Sequence, residues 1–228
     1  MALRDIDRIP RRLRQRPSTR KNASKRSEKR RDQIVRAAVR LFSEKGYHPT
    51  SMEDIANAAN VSKGLIYLYF NDKNDVLFYA LRFVLNLYDS YLTPALNENP
   101  LAMLRMALRG LCRLVNDHIP EHMLAYRSSK DLTPQQRLEI KTSELRIGRI
   151  FRACLEACIH KGIMIPVNID IMMYQYIMVG HTWALKHWAF RDKYTLDEYL
   201  EASEQLLIAT FLTPKGRRLF ESLHAEAR

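Results

Sequence analysis

The chain has 228 residues, of which 46% are hydrophobic and 27% charged, and this balance excludes a disordered or fibrous protein. Only 7 glycines and 9 prolines occur and no apolar–polar alternation is sustained, so the sequence favours an all-α fold. The net charge of +12 is uneven, because residues 1–36 hold 14 Lys and Arg against 4 Asp and Glu, whereas the other 192 residues hold 23 against 21.

The N-terminal segment, residues 1–27, combines arginines with Pro10, Pro17 and small polar residues and shows no hydrophobic period. We expect a disordered basic arm there. Its charge indicates a polyanionic partner, because each Lys or Arg near a phosphate releases counterions, but a solvated tail would have the same composition. No apolar segment follows the arginines and no run of about 18 apolar residues occurs, so neither a secretory signal nor a membrane span is predicted.

Residues 28–75 predict a helix-turn-helix domain. Its first helix is amphipathic, with apolar residues at helical spacing: Ile34, Ala38, Leu41 and Phe42. Gly46 ends that helix, and a T-x-x-E capping box from Thr50 to Glu53 opens the second. Ser62 caps a third helix of about two turns, and a long fourth helix, capped by Asn71 or Asp72, runs to about residue 92.

The third helix is the candidate DNA reader, because the second helix of a helix-turn-helix pair enters the major groove. Ser62 leaves backbone N–H groups for a phosphate oxygen, Lys63 adds charge, and Gly64 permits close approach. Phe70 is expected to anchor the core. Lys73 opposes the dipole of the next helix, which suggests an external anion. The candidate DNA contacts are Thr50, Ser51, Ser62, Lys63, Gly64, Leu65, Tyr67, Leu68, Tyr69 and Lys73.

Residues 76–214 predict a second helical region, and residues 215–228 predict a C-terminal tail. Five further helices are expected, at about 100–116, 119–129, 134–161, 168–190 and 196–212, which gives nine helices in all. Capping boxes open two of them, Thr133 to Gln136 and Thr195 to Glu198. Three cysteines lie in apolar helical patterns and are expected to be buried thiols: Cys112, Cys154 and Cys158.

Two stretches within residues 29–75 carry a specific pattern. They read Ile34-x-x-Ala37-Ala38-x-x-Leu41-Phe42-x-x-x-Gly46-Tyr47, and Thr50-Ser51-Met52-Glu53-Asp54-Ile55-Ala56 followed by Val61-Ser62-Lys63-Gly64-Leu65-Ile66-Tyr67-Leu68-Tyr69-Phe70-x-x-Lys73. This pattern resembles the DNA-binding domain of the tetracycline-repressor (TetR) family. Leu65 and Leu68 depart from it, since polar residues are frequent there, and their apolar side chains favour a thymine-methyl contact.

The resemblance implies a homodimeric transcription regulator, usually a repressor, in the bacterial cytoplasm and associated with the nucleoid. It would bind a pseudo-palindromic operator in double-stranded DNA and be released by a small-molecule inducer, with no cofactor. The last two long helices, here about 169–190 and 196–212, would pair with those of a second subunit. A stripe on these helices suits that pairing or, alternatively, the core of the monomer: Met172, Tyr176, Val179, Gly180 and Trp183.

The effector site is expected among the helices that follow the DNA-binding domain. Apolar walls with a basic mouth would suit an acyl chain with an anionic head, and Tyr126-Arg127-Ser128 resembles the TetR subset associated with acyl-CoA catabolism. An acyl-CoA of fatty or aromatic acid catabolism is therefore the candidate effector, although solvated basic faces would explain most of the arginines. The candidate residues are Phe83, Leu87, Arg109, Arg113, Met123, Tyr126, Arg127, Arg146, Arg149, Met178 and Trp183.

Two other classes of function remain open from the sequence. One is a constitutive nucleoid-type DNA-binding protein driven by the basic arm, and the other is a helical enzyme. The sequence has no nucleophile motif, phosphate loop or supported pair of carboxylates, so no catalytic residue is predicted. His118 and His122 share a helix face at i,i+4, and His181 and His187 lie on another helix; neither pair has further ligands, so no metal site is predicted.

Overall fold

The computed structural model describes residues 18–91 and 99–225, and this part of the chain is all-α, as predicted, with an isolated β-bridge between Met164 and Leu212. Its helices are α1 (Ser18–Lys45), α2 (Met52–Ala58), α3 (Lys63–Ile66), α4 (Lys73–Tyr91), α5 (Pro100–Asp117), α6 (Ile119–Ser128), α7 (Pro134–His160), α8 (Ile169–Leu185), α9 (His187–Phe190), α10 (Leu196–Leu207) and α11 (Pro214–Ala225). No helix of this part is long and apolar enough to cross a membrane.

The predicted count of nine helices is wrong, since the described residues form eleven α-helices. A break at Lys186 separates α8 from α9, and it allows Phe190 to stack on Trp183 with ring centroids 6.1 Å apart. The predicted C-terminal tail is helical as α11, with Pro214 in its first turn. Phe220 holds this helix in place, because its ring is 5% exposed and lies 4.9 Å below the Arg105 guanidinium.

The predicted disordered arm overlaps a helix. Because α1 begins at Ser18, residues 18–27 are helical, and residues 1–17 of the predicted arm lie outside the described residues. Arginine and lysine are good helix formers, so a basic segment without an apolar face can extend a helix whose buried face starts at Ile34.

The N-terminal core joins α1, α2, α3 and the first half of α4. Its most buried side chains expose at most 2% of their surface: Ile34, Phe42, Ile55, Ile66, Phe70, Val76 and Leu77. Phe70 is therefore the predicted anchor. The connections use left-handed backbone at Gly46 (φ 89°) and Asn60 (φ 50°), the two residue types that adopt it most readily.

The cap of α2 differs from the prediction. The capping box joins Ser51 and Asp54, not Thr50 and Glu53, because the Ser51 hydroxyl accepts from the Asp54 N–H and the Asp54 carboxylate accepts from the Ser51 N–H. Thr50 instead donates its hydroxyl to the Gly46 carbonyl over 2.8 Å. The capping boxes predicted for α7 and α10 are confirmed, as is the Ser62 cap of α3.

The C-terminal core surrounds α5, which packs against α4, α7, α8 and α10. The α8 stripe, for which the sequence left open a dimer face or the core of the monomer, belongs to this core. Tyr176 is fully buried and donates its hydroxyl to the Leu207 carbonyl, and Trp183 donates its indole N–H to Asn116. A Cβ on Gly180 would lie 3.2 Å from Leu111, so this glycine permits α8 to approach α5 rather than a second subunit.

A buried ion cluster ties α10 to α5. Glu204 is fully buried and accepts from Arg105 at 3.1 and 2.9 Å and from Arg109 at 2.7 Å. Three charge-assisted hydrogen bonds thus offset the desolvation cost of the buried Glu204 carboxylate.

The cysteines are buried thiols, as predicted, and burial raises the pKa of Cys112 and Cys158 to about 12 and that of Cys154 to about 11.

Candidate functional site

The most exposed part of the helix-turn-helix is the N-terminal end of α3 and the turn that follows it. Here α3 is a single turn, shorter than the two turns predicted, and the buried Ile66 fixes it to the core. Five residues are exposed to solvent here, and we call them the α3 surface: Ser62, Lys63, Gly64, Tyr67 and Leu68. Leu68 exposes 79% of its surface and Tyr67 50%, so apolar area projects where a DNA groove would dock.

The glycine of the α3 surface leaves room for a partner. Nothing lies within 4 Å of the position that a Cβ on Gly64 would occupy, so no packing within the chain requires a glycine there. Lys63 pairs with Glu53 at 3.1 Å, but both side chains are 62% exposed. Such a pair contributes little to stability, and the Lys63 ammonium can exchange Glu53 for a phosphate at small cost.

The remaining predicted DNA contacts lie elsewhere or are engaged within the chain. Thr50 is 1% exposed with its hydroxyl turned inward, and Ser51 is exposed but caps α2. Leu65 and Tyr69 are half-buried, and Tyr69 packs against the core. The α3 surface therefore carries the contacts that remain accessible in this conformation.

Lys73 was predicted to face an external anion, but its ammonium points to groups within the chain. Its ammonium donates to the carbonyls of Tyr47 and His48 over 3.1 and 3.0 Å, and it lies 4.5 Å from the centroid of the Tyr47 ring. These carbonyls offset the unfavourable position of a cation in the first turn of α4. Lys73 thus joins the start of α4 to the loop between α1 and α2.

A cavity of about 580 Å³ lies between α4, α6, α7 and α8. This volume is in the range of small-molecule sites. Its apolar lining comes from Val84, Leu85, Ala125, Leu145, Ile147, Met173, Ile177 and Met178, and its polar lining from Tyr88, His122, Tyr126, Ser129, Lys141, Glu144, Tyr174 and His181.

Two tyrosine–histidine pairs form the polar wall of this cavity. The Tyr88 hydroxyl lies 2.8 Å from His122 Nδ1, and the Tyr126 hydroxyl lies 2.6 Å from His181 Nδ1. The two imidazole rings are adjacent, with centroids 4.6 Å apart. Burial lowers the pKa of His122 to about 4, and burial together with His122 lowers the pKa of His181 to about 3, so both rings are neutral at pH 7.

The rim of the cavity carries two charged side chains of opposite sign, Glu144 and Lys141. Desolvation raises the pKa of Glu144, while Lys141 acts in the opposite direction. Desolvation also raises the pKa of Tyr126 and, much further, that of Tyr88. The inner wall is therefore uncharged near neutral pH.

Only two of the eleven predicted effector residues, Tyr126 and Met178, line this cavity. The Phe83 ring faces α1, where the Arg36 guanidinium lies 4.7 Å from its centroid, and Leu87 packs against the core. Met123 and Arg127 line a separate cleft of about 520 Å³ beside the α1–α2 loop. Trp183 is in the core.

The arginines that were predicted for a basic mouth lie outside the cavity. Arg109 binds Glu204, and Arg113 lies 3.8 Å from Asp197. Arg146 and Arg149 are on the exposed face of α7.

The sequence interpretation missed three residues of the polar wall: Tyr88, His122 and His181. Both histidines had been weighed only as metal ligands, and the described residues contain no group of three or more metal-ligating side chains. The available signal was the position of each histidine on a mostly apolar helix, where a neutral ring with a hydrogen-bond partner is the stable form.

Two connections run from the cavity to the helix-turn-helix. Along α4, Tyr88 borders the cavity while Lys73 holds the α1–α2 loop. Beyond α6, Ser129 borders the cavity, and two residues later the Asp131 carbonyl accepts from Asn74. The Asp131 carboxylate also lies 3.4 Å from His48.

Residues 34–80 match the family model described as bacterial regulatory proteins, tetR family. Over 192 residues the chain is 43% identical to the HTH-type transcriptional regulator HbdR of Aromatoleum sp. (strain CIB), covering 83% of this chain and 84% of that protein. It is 26% identical over 186 residues to the fatty acid metabolism regulator protein of Bacillus subtilis (strain 168), covering 78% and 93%. The structure of AibR in complex with isovaleryl coenzyme A and operator DNA has the same fold, with a TM-score of 0.67 at 20% identity, covering 78% of this chain and 98% of AibR.

Proposed function

The chain belongs to the TetR family of bacterial regulatory proteins, and we propose that it is a homodimeric repressor released from its operator by a small-molecule effector. It is a DNA-binding transcriptional regulator rather than an enzyme. The observation that carries the proposal is the layout of α4, which begins at the helix-turn-helix with Lys73 and borders the cavity with Val84, Leu85 and Tyr88.

The α3 surface is the proposed DNA reader. Ser62, Lys63 and Tyr67 supply polar groups for phosphates or base edges, and Gly64 leaves room for the sugar–phosphate backbone. Leu68 presents exposed apolar area, which fits a thymine methyl group in the major groove. In this proposal the basic N-terminal segment adds affinity without adding sequence preference.

The effector is proposed to be an acyl-CoA whose acyl part enters the cavity. The apolar lining of the cavity suits a hydrocarbon chain, and its volume suits the acyl end of the molecule rather than the whole of it. Two similar proteins support this class, since one is named for fatty acid metabolism and AibR was crystallised with isovaleryl coenzyme A.

The effector would release DNA through differential affinity for two arrangements of the helices. A chain that presses on Val84 and Tyr88 would displace α4, and α4 would move the α1–α2 loop through Lys73. Phe83, a predicted effector residue on the same helix, does not take part in this path, because its ring faces α1.

The homodimer is proposed to form through α8 and α10, the helices that correspond to the predicted pair at about 169–190 and 196–212. Three large apolar side chains on α8, α9 and α10 expose more than 60% of their surface: Ile171 (61%), Trp188 (71%) and Leu206 (70%). A second subunit that covered these three side chains would remove their apolar area from water. These residues replace the buried α8 stripe as the proposed contact.

Footprinting on the DNA upstream of the chain's own gene tests this proposal. We expect one protected site with two half-sites whose centres are about 10 base pairs, or a multiple, apart. Octanoyl-CoA at saturating concentration should remove the protection. Uniform protection at all sequences, insensitive to octanoyl-CoA, would instead identify a constitutive nucleoid-type binder.

A further inference from the structure

We propose that His122 and His181 together bind a neutral carbonyl oxygen of the effector and discriminate against the free carboxylate. The inference rests on the proposed function in one respect, namely that the cavity between α4, α6, α7 and α8 is the effector site. It concerns the chemistry that this site accepts, and it follows from the hydrogen bonds of the two histidines.

The tyrosine partners determine which nitrogen of each ring carries the proton. The buried Tyr88 hydroxyl needs an acceptor for its proton, and within the described residues the acceptor placed for it is His122 Nδ1 at 2.8 Å. A neutral imidazole that accepts at Nδ1 carries its hydrogen on Nε2. The Tyr126 hydroxyl and His181 Nδ1 are 2.6 Å apart, and our proposal assigns them the same arrangement. In this proposal each ring is an Nε2–H donor.

The His122 donor is buried and unused. His122 is 5% exposed, and its Nε2 is among the buried polar atoms that find no hydrogen-bond partner in the described part of the chain. An unsatisfied buried donor is costly, and native proteins rarely retain one without a purpose. His122 borders the cavity, and we propose that an acceptor atom on a ligand in that cavity becomes the partner of this N–H.

The second donor lies beside the first. His181 comes from α8 and His122 from α6, and their ring centroids are 4.6 Å apart across the same cavity wall. One oxygen with two lone pairs can accept from two such donors, as a carbonyl oxygen does. The wall thus matches an ester, thioester or ketone oxygen on an otherwise apolar ligand.

The charges around the wall disfavour an anion. His122 and His181 are both neutral at pH 7, because their burial and proximity oppose protonation. Of the other groups at the cavity, Tyr88 and Tyr126 are neutral, Glu144 would add a negative charge, and the single cation, Lys141, lies on the exposed face of α7. A carboxylate against this wall would lose its hydration without gaining a cationic partner.

Three probes with the same octyl skeleton test the inference by isothermal titration calorimetry at pH 7.5. They are S-octanoyl-N-acetylcysteamine (a thioester), S-octyl-N-acetylcysteamine (its thioether) and octanoate. We expect the thioester to bind about tenfold more tightly than the thioether and than octanoate, the size of effect that one well-placed hydrogen bond gives. Equal affinities, tighter binding of octanoate, or no binding of any probe would overturn the proposal.

A matched pair of variants locates the effect. His122→Phe keeps an aromatic ring but removes one of the two N–H donors, so the ratio of thioester to thioether affinity should fall from about ten to about three. His160→Phe makes the same change at the exposed end of α7, outside the cavity, and should keep the tenfold ratio. A ratio that survives in His122→Phe would show that another group binds the carbonyl.

Nitrogen-15 NMR of the imidazole rings in the unmodified chain gives a second test that does not depend on the folding of a variant. We expect the neutral Nε2–H form for both rings, and a shift of the Nε2 resonances with the thioester but not with the thioether. Histidines in the Nδ1–H form would contradict the assignment. Operator footprinting is a separate readout. A lack of site-specific DNA binding would refute the proposed regulatory function, whereas the affinity ratios of the probes would still test the role of His122 and His181.

Discussion

Leu68→Ala is the substitution that most directly probes the α3 surface. Leu68 exposes 79% of its surface, so its truncation should change the free energy of unfolding by less than about 0.5 kcal/mol. On DNA the side chain would become buried against base edges. Removing three carbons at about 0.8 kcal/mol each, with roughly half of that area covered in the groove, gives about 1 kcal/mol per subunit.

A dimer presents this side chain twice, so the two contributions add to about 2 kcal/mol, or about a 30-fold loss of operator affinity. Fluorescence anisotropy with a labelled operator duplex measures this loss, and thermal unfolding verifies that the fold is intact. Leu138→Ala is the matched control, because Leu138 is 58% exposed on α7, remote from α3 in sequence and fold. Operator affinity within twofold of the unmodified chain for Leu68→Ala would refute the assignment of the α3 surface.

Three further predictions concern stability, salt and pH. Glu204→Gln leaves the buried Arg105 poorly paired and should lower stability by about 3 kcal/mol in chemical unfolding, whereas the exposed Glu201→Gln should change it little. Deletion of residues 2–17, which contain six arginines, should weaken operator binding and reduce its salt dependence, but should keep the preference for operator over scrambled DNA. Loss of that preference would show that the N-terminal segment recognises the DNA sequence. Burial holds the pKa of His122 near 4 and that of His181 near 3, below the usual 6.5, so the unfolded chain binds more protons than the folded chain. Each ring should therefore lower stability by about 2 kcal/mol between pH 6.5 and 5, and His122→Phe should remove about half of the total loss in urea titrations.

Local signals in the sequence were sufficient for most helix ends. The capping boxes at Thr133 and Thr195 and the Ser62 cap depend on residues three positions apart, so they can be recognised without knowledge of the fold. The Thr50 cap was misplaced by one residue, because Thr50–Glu53 and Ser51–Asp54 both fit the pattern and only the packing decides between them.

The effector site was less predictable, since its residues come from four helices far apart in the chain. Neighbouring residues on a helix point about 100° apart, so Phe83 faces α1 while Val84 borders the cavity. Arg109 on α5 was predicted to bind a ligand, but its partner Glu204 lies 95 residues away in the sequence. Long-range pairs of this kind leave no local pattern in a single sequence.

The central claim is that the cavity and the α3 surface are energetically linked. The most direct test measures the operator affinity of the full chain with and without saturating S-octanoyl-N-acetylcysteamine, and the affinity for this thioester with and without operator. Thermodynamic linkage requires both affinities to fall by the same factor, which we expect to be at least about tenfold. A thioester that binds in the cavity and leaves operator affinity unchanged would contradict the account.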